Sequence, residues 1–196
     1  PACRSTRTAG LVFASLGQRY FHMITARTIL SLNGLKAFQK AVDKKSPVVQ
    51  NVLTKWAVRF RAFLQLRFDK FSKGGGNWKK LSPRTIAGRR KGKGTGKVAI
   101  LRDTNSLFTA LSPVFTGQAG AVQEFKDFNV TVGFGGPAKH PSGDGVTIAD
   151  IATFHNNGMG NNPKRQILVQ PDATLTKKMA NDAQVELNAV AKKMIG

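Results

Sequence analysis

The stretch SPVVQNVLTKWAVRFRAFLQLRFDKFSKGGG, residues 46–76, decides the architecture. Ser46-Pro47 is a start signal, a capping hydroxyl followed by proline at the first helical position, where a missing backbone N–H costs nothing. From there Val49, Val52, Leu53, Trp56, Phe60, Phe63 and Leu64 return at three- and four-residue steps, the period of one helix face. Lys55, Arg59, Arg61 and Lys70 fall mostly on other faces. Gly74-Gly75-Gly76 ends the run. The spacing predicts a long helix over residues 47–71, and its apolar stripe needs a second surface to bury against.

The chain downstream supplies that surface. LFTALSPVFTG (107–117), GAVQEF (120–125) and FNVTVGFGG (128–136) show alternation or β-branched content between glycine-containing turns, and read as strands. TIADIATFHNNG (147–158) reads as a short helix capped by Thr147 and stopped by Gly158, and RQILVQ (165–170) as a further strand. From about Pro171, Leu175, Met179, Ala183, Leu187, Val190 and Met194 share one face, which predicts a second long helix over 172–194. The expected fold is α+β: two long helices packed on a small antiparallel sheet. Upstream, LKAFQKAVD (35–43) reads as a short amphipathic helix. Residues 1–34 read as an N-terminal arm attached to a single domain over 35–196.

Charge is the second organising feature. The 196 residues carry 31 Lys+Arg against 10 Asp+Glu, a formal net charge of +21. Residues 1–72 hold 13 basic and two acidic side chains, residues 73–102 ten basic and none acidic, and residues 103–196 eight of each. A basic front is thus joined to a neutral back. Such a charge calls for an anionic partner: nucleic acid, an acidic protein surface or an acidic membrane face. Ribosomal and nucleoid proteins share this composition, so charge narrows the partner and not the role. The densest part, GRRKGKGTGK (88–97), alternates glycine with cations and has no apolar residue, which predicts a mobile basic loop over 84–97. Arg84, Arg89, Arg90, Lys91, Lys93 and Lys97 are its candidate phosphate contacts, able to follow a DNA backbone without reading bases. Docking onto an acidic neighbouring subunit is the other use of the same loop.

Catalytic patterns fail at named positions. A P-loop anchored on Gly96-Lys97 would need glycine at Lys91 and a hydroxyl at Val98. His22, His140 and His155 stand at no metal-ligand spacing with one another or with Cys3. The ten carboxylates are scattered, and the loose group of His140, Asp144 and Asp150 matches no motif for metal-assisted chemistry. The residues therefore point to no catalytic residue, no metal and no cofactor. One cysteine fits a reducing compartment, and no apolar run is long enough for a membrane span. Trp78, after the glycines and before Lys79-Lys80, reads as the pin that holds the basic loop to the core, with stacking on a nucleic-acid base as the other use of the ring.

Several segments carry a family resemblance by their order. They are Gly76-Asn77-Trp78, Leu81-Ser82-Pro83-Arg84-Thr85-Ile86, and Ile100-Leu101-Arg102-Asp103-Thr104-Asn105-Ser106-Leu107. Then come Val130-Thr131-Val132-Gly133, Ile151-Ala152-Thr153-Phe154-His155-Asn156-Asn157-Gly158, and Pro163-Lys164-Arg165-Gln166-Ile167-Leu168-Val169. Over roughly residues 35–192 this resembles the phage virion-morphogenesis (tail-completion) family. Asn105 stands where that family usually has glycine, a position asparagine fills because it tolerates left-handed φ. Asn156 replaces glutamine, and a Pro-Phe pair of the late strand is missing. The resemblance marks Trp78, Leu81, Thr85, Leu101, Thr104, Gly133, His155, Gly158 and Arg165 as motif positions. It implies a non-enzymatic structural protein of the virion neck or tail end, assembled in the host cytoplasm. Its implied setting is a homo-oligomeric ring, hexameric or twelve-fold, with neck, tail-tube or connector proteins as neighbours and genomic DNA close by.

Overall fold

The long helix predicted from residues 46–76 is the element on which the others pack. The computed structural model describes residues 24–27, 47–91, 97–141 and 145–195. In chain order the elements are β1 (Ile24–Arg27), α1 (Pro47–Ser72), α2 (Pro83–Arg90), α3 (Ser106–Ala110), β2 (Ala121–Lys126), β3 (Asn129–Phe134), α4 (Ile148–Asn157) and α5 (Ala173–Ile195). The fold is α+β. Helix α1 contacts both α5 and β3, so it lies between the second long helix and the sheet.

Helix α1 buries Val49, Val52, Leu53, Trp56, Ala57, Phe60, Leu64 and Phe68. Helix α5 answers with Leu175, Met179 and Ala183, while Leu187 packs at the core's margin. Asp172 starts α5 by accepting the Leu175 N–H at 2.7 Å. The two helices are also joined by the Trp56 indole N–H, which donates to the Met179 carbonyl at 2.7 Å. Ion pairs Arg59–Asp182 and Lys55–Glu186 flank that seam. Both basic partners are substantially exposed, so these pairs set the helices' alignment more than their stability.

The sheet has the order β1-β3-β2, antiparallel throughout. Strands β2 and β3 form a hairpin closed by Asp127-Phe128, with Asp127 at φ 55, a left-handed position an aspartate tolerates. Val130, Val132 and Phe134 of β3 are buried at every second position. Gly133 lies in the same strand between Thr25 and Val122.

Five readings of the sequence change. First, Ile24–Arg27 lies within the segment read as an arm, yet it is the edge strand β1 on β3. The rest of residues 1–34, and the helix expected at 35–43, lie outside the described residues. Second, the basic stretch 84–97 is not a loop from its start, because α2 runs to Arg90. Ser82 caps it by accepting the Thr85 N–H at 3.1 Å and Pro83 opens it, which repeats the Ser46-Pro47 signal. Third, LFTALS is helical and not β: Leu107, Ala110 and Leu111 are buried at i, i+3 and i+4. Fourth, RQILVQ joins no sheet, since the Ile167 and Leu168 amides donate to the Asn156 side-chain oxygen at 2.9 and 3.1 Å. Fifth, Arg61 is not on an outer face of α1 but fully buried, at 0% exposure.

Arg61 has no carboxylate partner among the described residues. Its guanidinium donates instead to three backbone carbonyls: Ala110 at 2.6 Å, Ser112 at 2.7 Å and Val122 at 3.3 Å. The Phe115 ring lies 5.0 Å away on its face. Burial pulls the guanidinium down to about 10, so it stays charged at neutral pH. One side chain thus ties α1, the end of α3 and the β2 edge together. Among the described residues no helix is long and apolar enough to cross a membrane.

Candidate functional site

The basic segment begins where α1 ends. The chain leaves α1 through Gly74 at φ 89, with the Gly74 and Gly75 amides donating to the Phe71 and Lys70 carbonyls. Gly76 then crosses the Phe71 ring so closely that a Cβ there would meet ring carbons at 2.1 Å. Trp78 follows into the core, edge-on to Phe68 at 5.1 Å and to Phe71 at 5.6 Å between ring centroids. The glycine-tryptophan pair is therefore a close passage plus an anchor. Leu81 is packed on the core's margin, and Thr85 serves in the cap of α2, its hydroxyl 2.8 Å from that of Ser82.

Helix α2 has eight residues, none of them buried. A helix this short is marginal alone, and Arg89 is what holds it. Arg89 donates to the Lys97 and Ala99 carbonyls at 2.8 and 3.1 Å and lies 3.9 Å from the Asp103 carboxylate. It is a structural tie and not a free cation. Arg84, Arg90, Lys91 and Lys97 are exposed, and their side chains have no ion-pair or hydrogen-bond partner among the described residues. Lys93 lies outside the described residues. At about 100° per residue, Arg84 lies away from the face of Ile86 and Arg90, while Pro83, Ile86, Ala87 and Arg90 line a shallow depression together with Lys91, the C-cap.

Behind this helix, three motif segments meet in one clamp. Arg165 is buried and donates from Nε and an Nη to the Lys79 carbonyl at 3.2 and 3.0 Å. Its other Nη lies 3.4 Å from His155 Nδ1, and its backbone N–H donates to the His155 carbonyl at 2.6 Å. Gly158 closes α4 at φ 73, and a Cβ there would sit 2.9 Å from Lys164 Cβ. Asn156, in the position of the family's glutamine, accepts the two amides of Ile167 and Leu168. Arg67 of α1 adds a bond to the Gln166 carbonyl at 2.6 Å and covers the Phe71 ring. Trp78, His155, Gly158 and Arg165 are thus one assembly.

Burial, then the Arg165 charge, lowers the His155 imidazole from its usual 6.5 to about 4. The ring is neutral at physiological pH and presents Nδ1 as acceptor to Arg165. Because the folded value is depressed, His155 contributes stability that is fully present above pH 6.5 and lost as pH falls toward 4. The loss amounts to about 3 kcal/mol at most. His155→Gln should flatten the difference in unfolding free energy between pH 7 and pH 5, measured by urea titration at both. Burial and the nearby Arg89 charge lower Arg165 as well.

Other predicted positions stand apart from this clamp. Thr104 Oγ1 lies 2.9 Å from Ser106 Oγ and 3.0 Å from His140 Nε2, tying the loop before α4 to the start of α3. Leu101 takes φ 55, and Asn105 takes φ 61, the left-handed turn expected of it. Asn105 Oδ1 is buried without a partner. Asn105→Gly should leave stability unchanged or raise it, whereas Asn105→Ala should cost about 1–2 kcal/mol; thermal melts of the two variants check this. Among the described residues no group of three His, Cys, Asp or Glu could hold a metal ion.

Sequence reasoning missed Arg61, the tie made by Arg89 and the partner of Arg165. Ser82-Pro83 is the signal that could have found α2. Comparison with models of protein families, with curated proteins and with solved structures gives no match.

Proposed function

We propose that this chain is a non-enzymatic structural subunit of the neck or tail end of a tailed-phage particle, set in a ring close to DNA. The observation that carries the reading is the use the fold makes of the motif order. Segments far apart in sequence, 76–79, 155–158 and 164–168, close on one another through Arg165 and Asn156. Part of the motif set that produces the resemblance to the tail-completion family, Trp78, His155 and Arg165, holds the start of the basic segment to the core. Arg84, Lys91 and Lys97 project from that support without partners among the described residues. They suit contact with phosphates, with no base reading implied.

Mass spectrometry of purified tailed-phage particles from the source of this sequence tests the assignment. Peptides of the chain should be found at a fixed number of copies per particle, in multiples of six. Their absence from particles would overturn it.

The second reading is a free nucleic-acid-binding protein of ribosomal or nucleoid type, favoured by the same exposed cations and the net charge of +21. The two readings share one quantitative expectation. The triple variant Arg84→Ser, Lys91→Ser, Lys97→Ser should fold normally, since none of the three side chains is buried. It should reduce the slope of log K against log salt for duplex DNA by up to about 3, from ~0.9 per phosphate contact. Fluorescence anisotropy at several salt concentrations measures the slope. Tight binding by the isolated monomer, with no copies in particles, favours the second reading.

A further inference from the structure

Helix α2 carries a second surface beside its DNA-suited cations. Pro83, Ile86, Ala87, Arg90 and Lys91 line a shallow depression of ≈ 520 Å³. Pro83, Ile86 and Ala87 are its apolar floor, and Arg90 and Lys91 form a cationic rim. Phosphate contact needs cations and has no use for Ile86 or Ala87. The depression therefore suits a ligand that brings an apolar group together with negative charge. Arg89 and the Ser82 cap hold the helix in place, so the surface is preformed.

The chain does not supply that negative charge itself. Asp69 is paired with Lys73 and Arg102, Asp103 lies by Arg89, Asp182 is paired with Arg59 and Glu186 with Lys55. Asp150 is held in the capping box of α4, Asp172 caps α5, and Asp127 has a partner. Glu124 has no ion pair among the described residues, but exposed Lys126 follows it on the same face of β2. Residues 73–102, which include α2, hold ten basic side chains and no acidic one. A second copy brings the same shortage, so the complement comes from a protein of different composition. Size limits the contact as well. The eight residues of α2 make a helix about 12 Å long, which spans about four residues of an extended peptide.

We propose that the α2 depression binds a short acidic segment of another protein, with one large apolar side chain on Ile86 and Ala87 and flanking carboxylates on Arg90 and Lys91. The inference deepens the ring reading, in which that protein is a neighbour in the neck or tail end. A contact this small is weak alone. Repetition around a ring strengthens it, because several copies engage at once.

Fluorescence anisotropy tests the proposal, with the full chain titrated at moderate salt into two labelled peptides of equal charge, Glu-Asp-Leu-Phe-Asp-Glu and Glu-Asp-Ser-Ser-Asp-Glu. Wild type should bind the Leu-Phe peptide at least about fivefold more tightly than the Ser-Ser peptide. Ile86→Ser should abolish that difference. Ala87→Glu and Arg90→Glu should each weaken the Leu-Phe peptide by about tenfold or more. Arg84→Ser should leave the ratio between the peptides unchanged, since Arg84 lies away from this face. Ala87 and Arg90 are exposed, so circular dichroism and melting of their variants should match wild type. Equal affinity for the two peptides, binding of neither up to about 1 mM, or indifference to Ala87→Glu and Arg90→Glu overturns the proposal. A loss of duplex-DNA affinity in Ile86→Ser as large as the loss for the peptide assigns this face to nucleic acid and overturns it too. The ring reading is judged separately, by copy number in particles, and can fail while the peptide still binds.

Discussion

Trp56→Ala is expected to lower the unfolding free energy by about 3–5 kcal/mol, measured by chemical denaturation. The indole is 4% exposed and belongs to the stripe through which α1 meets α5. Its removal leaves a large cavity at a helix–helix seam, where both walls are long elements that cannot easily collapse. It also deprives the Met179 carbonyl of the indole N–H. Trp56→Phe separates the two losses. It keeps most of the ring volume and gives up the hydrogen bond, so it should cost about 1–2 kcal/mol. An alanine variant no worse than the phenylalanine variant would show that the seam repacks.

Arg61→Ala is expected to be of similar severity, at more than about 3 kcal/mol, for a different reason. Three carbonyls now served by one guanidinium would lose that donor in a place with little access to water. Each such loss costs on the order of 1–3 kcal/mol, less whatever entering water restores. Arg61→Lys should recover only part of the loss, because an ammonium on a narrower stem does not span three carbonyls spread over Ala110, Ser112 and Val122. Urea denaturation of both variants against wild type provides the ranking. Equal stability of Arg61→Lys and wild type would show that the buried charge matters and the forked geometry does not.

These two positions also show what could be read before the fold was known. Trp56 lies on the apolar period of α1, and periodicity alone placed it in the core. Arg61 lies five residues further on and reads as an outward cation, because sequence patterning sorts residues by polarity. Nothing local announces that three carbonyls from residues 110–122 will converge on it. The same division runs through the candidate site. Ser82-Pro83 and Thr147 are local signals, and α2 and α4 begin at them. The left-handed turn at Asn105 was expected from the resemblance, which places asparagine where the family has glycine, and Asn105 takes φ 61. RQILVQ was not legible, because its apolar content suits a strand, and only the approach of Asn156 removes its amides from any ladder.

By itself the sequence determined the two long helices, the strand character of β2 and β3, the capped short helix α4, and a basic front joined to a neutral back. Those features follow from periodicity, caps, glycines and charge, all encoded within a few residues of where they act. The tertiary structure alone decided which cations are free. Arg61, Arg89 and Arg165 are spent on carbonyls, while Arg84, Arg90, Lys91 and Lys97 are left exposed. It alone left Glu124 as the unpaired carboxylate among the described residues. The reason is physical: a charge is neutralised by whatever the fold brings within about 4 Å, and that distance is set by contacts between residues far apart in the chain.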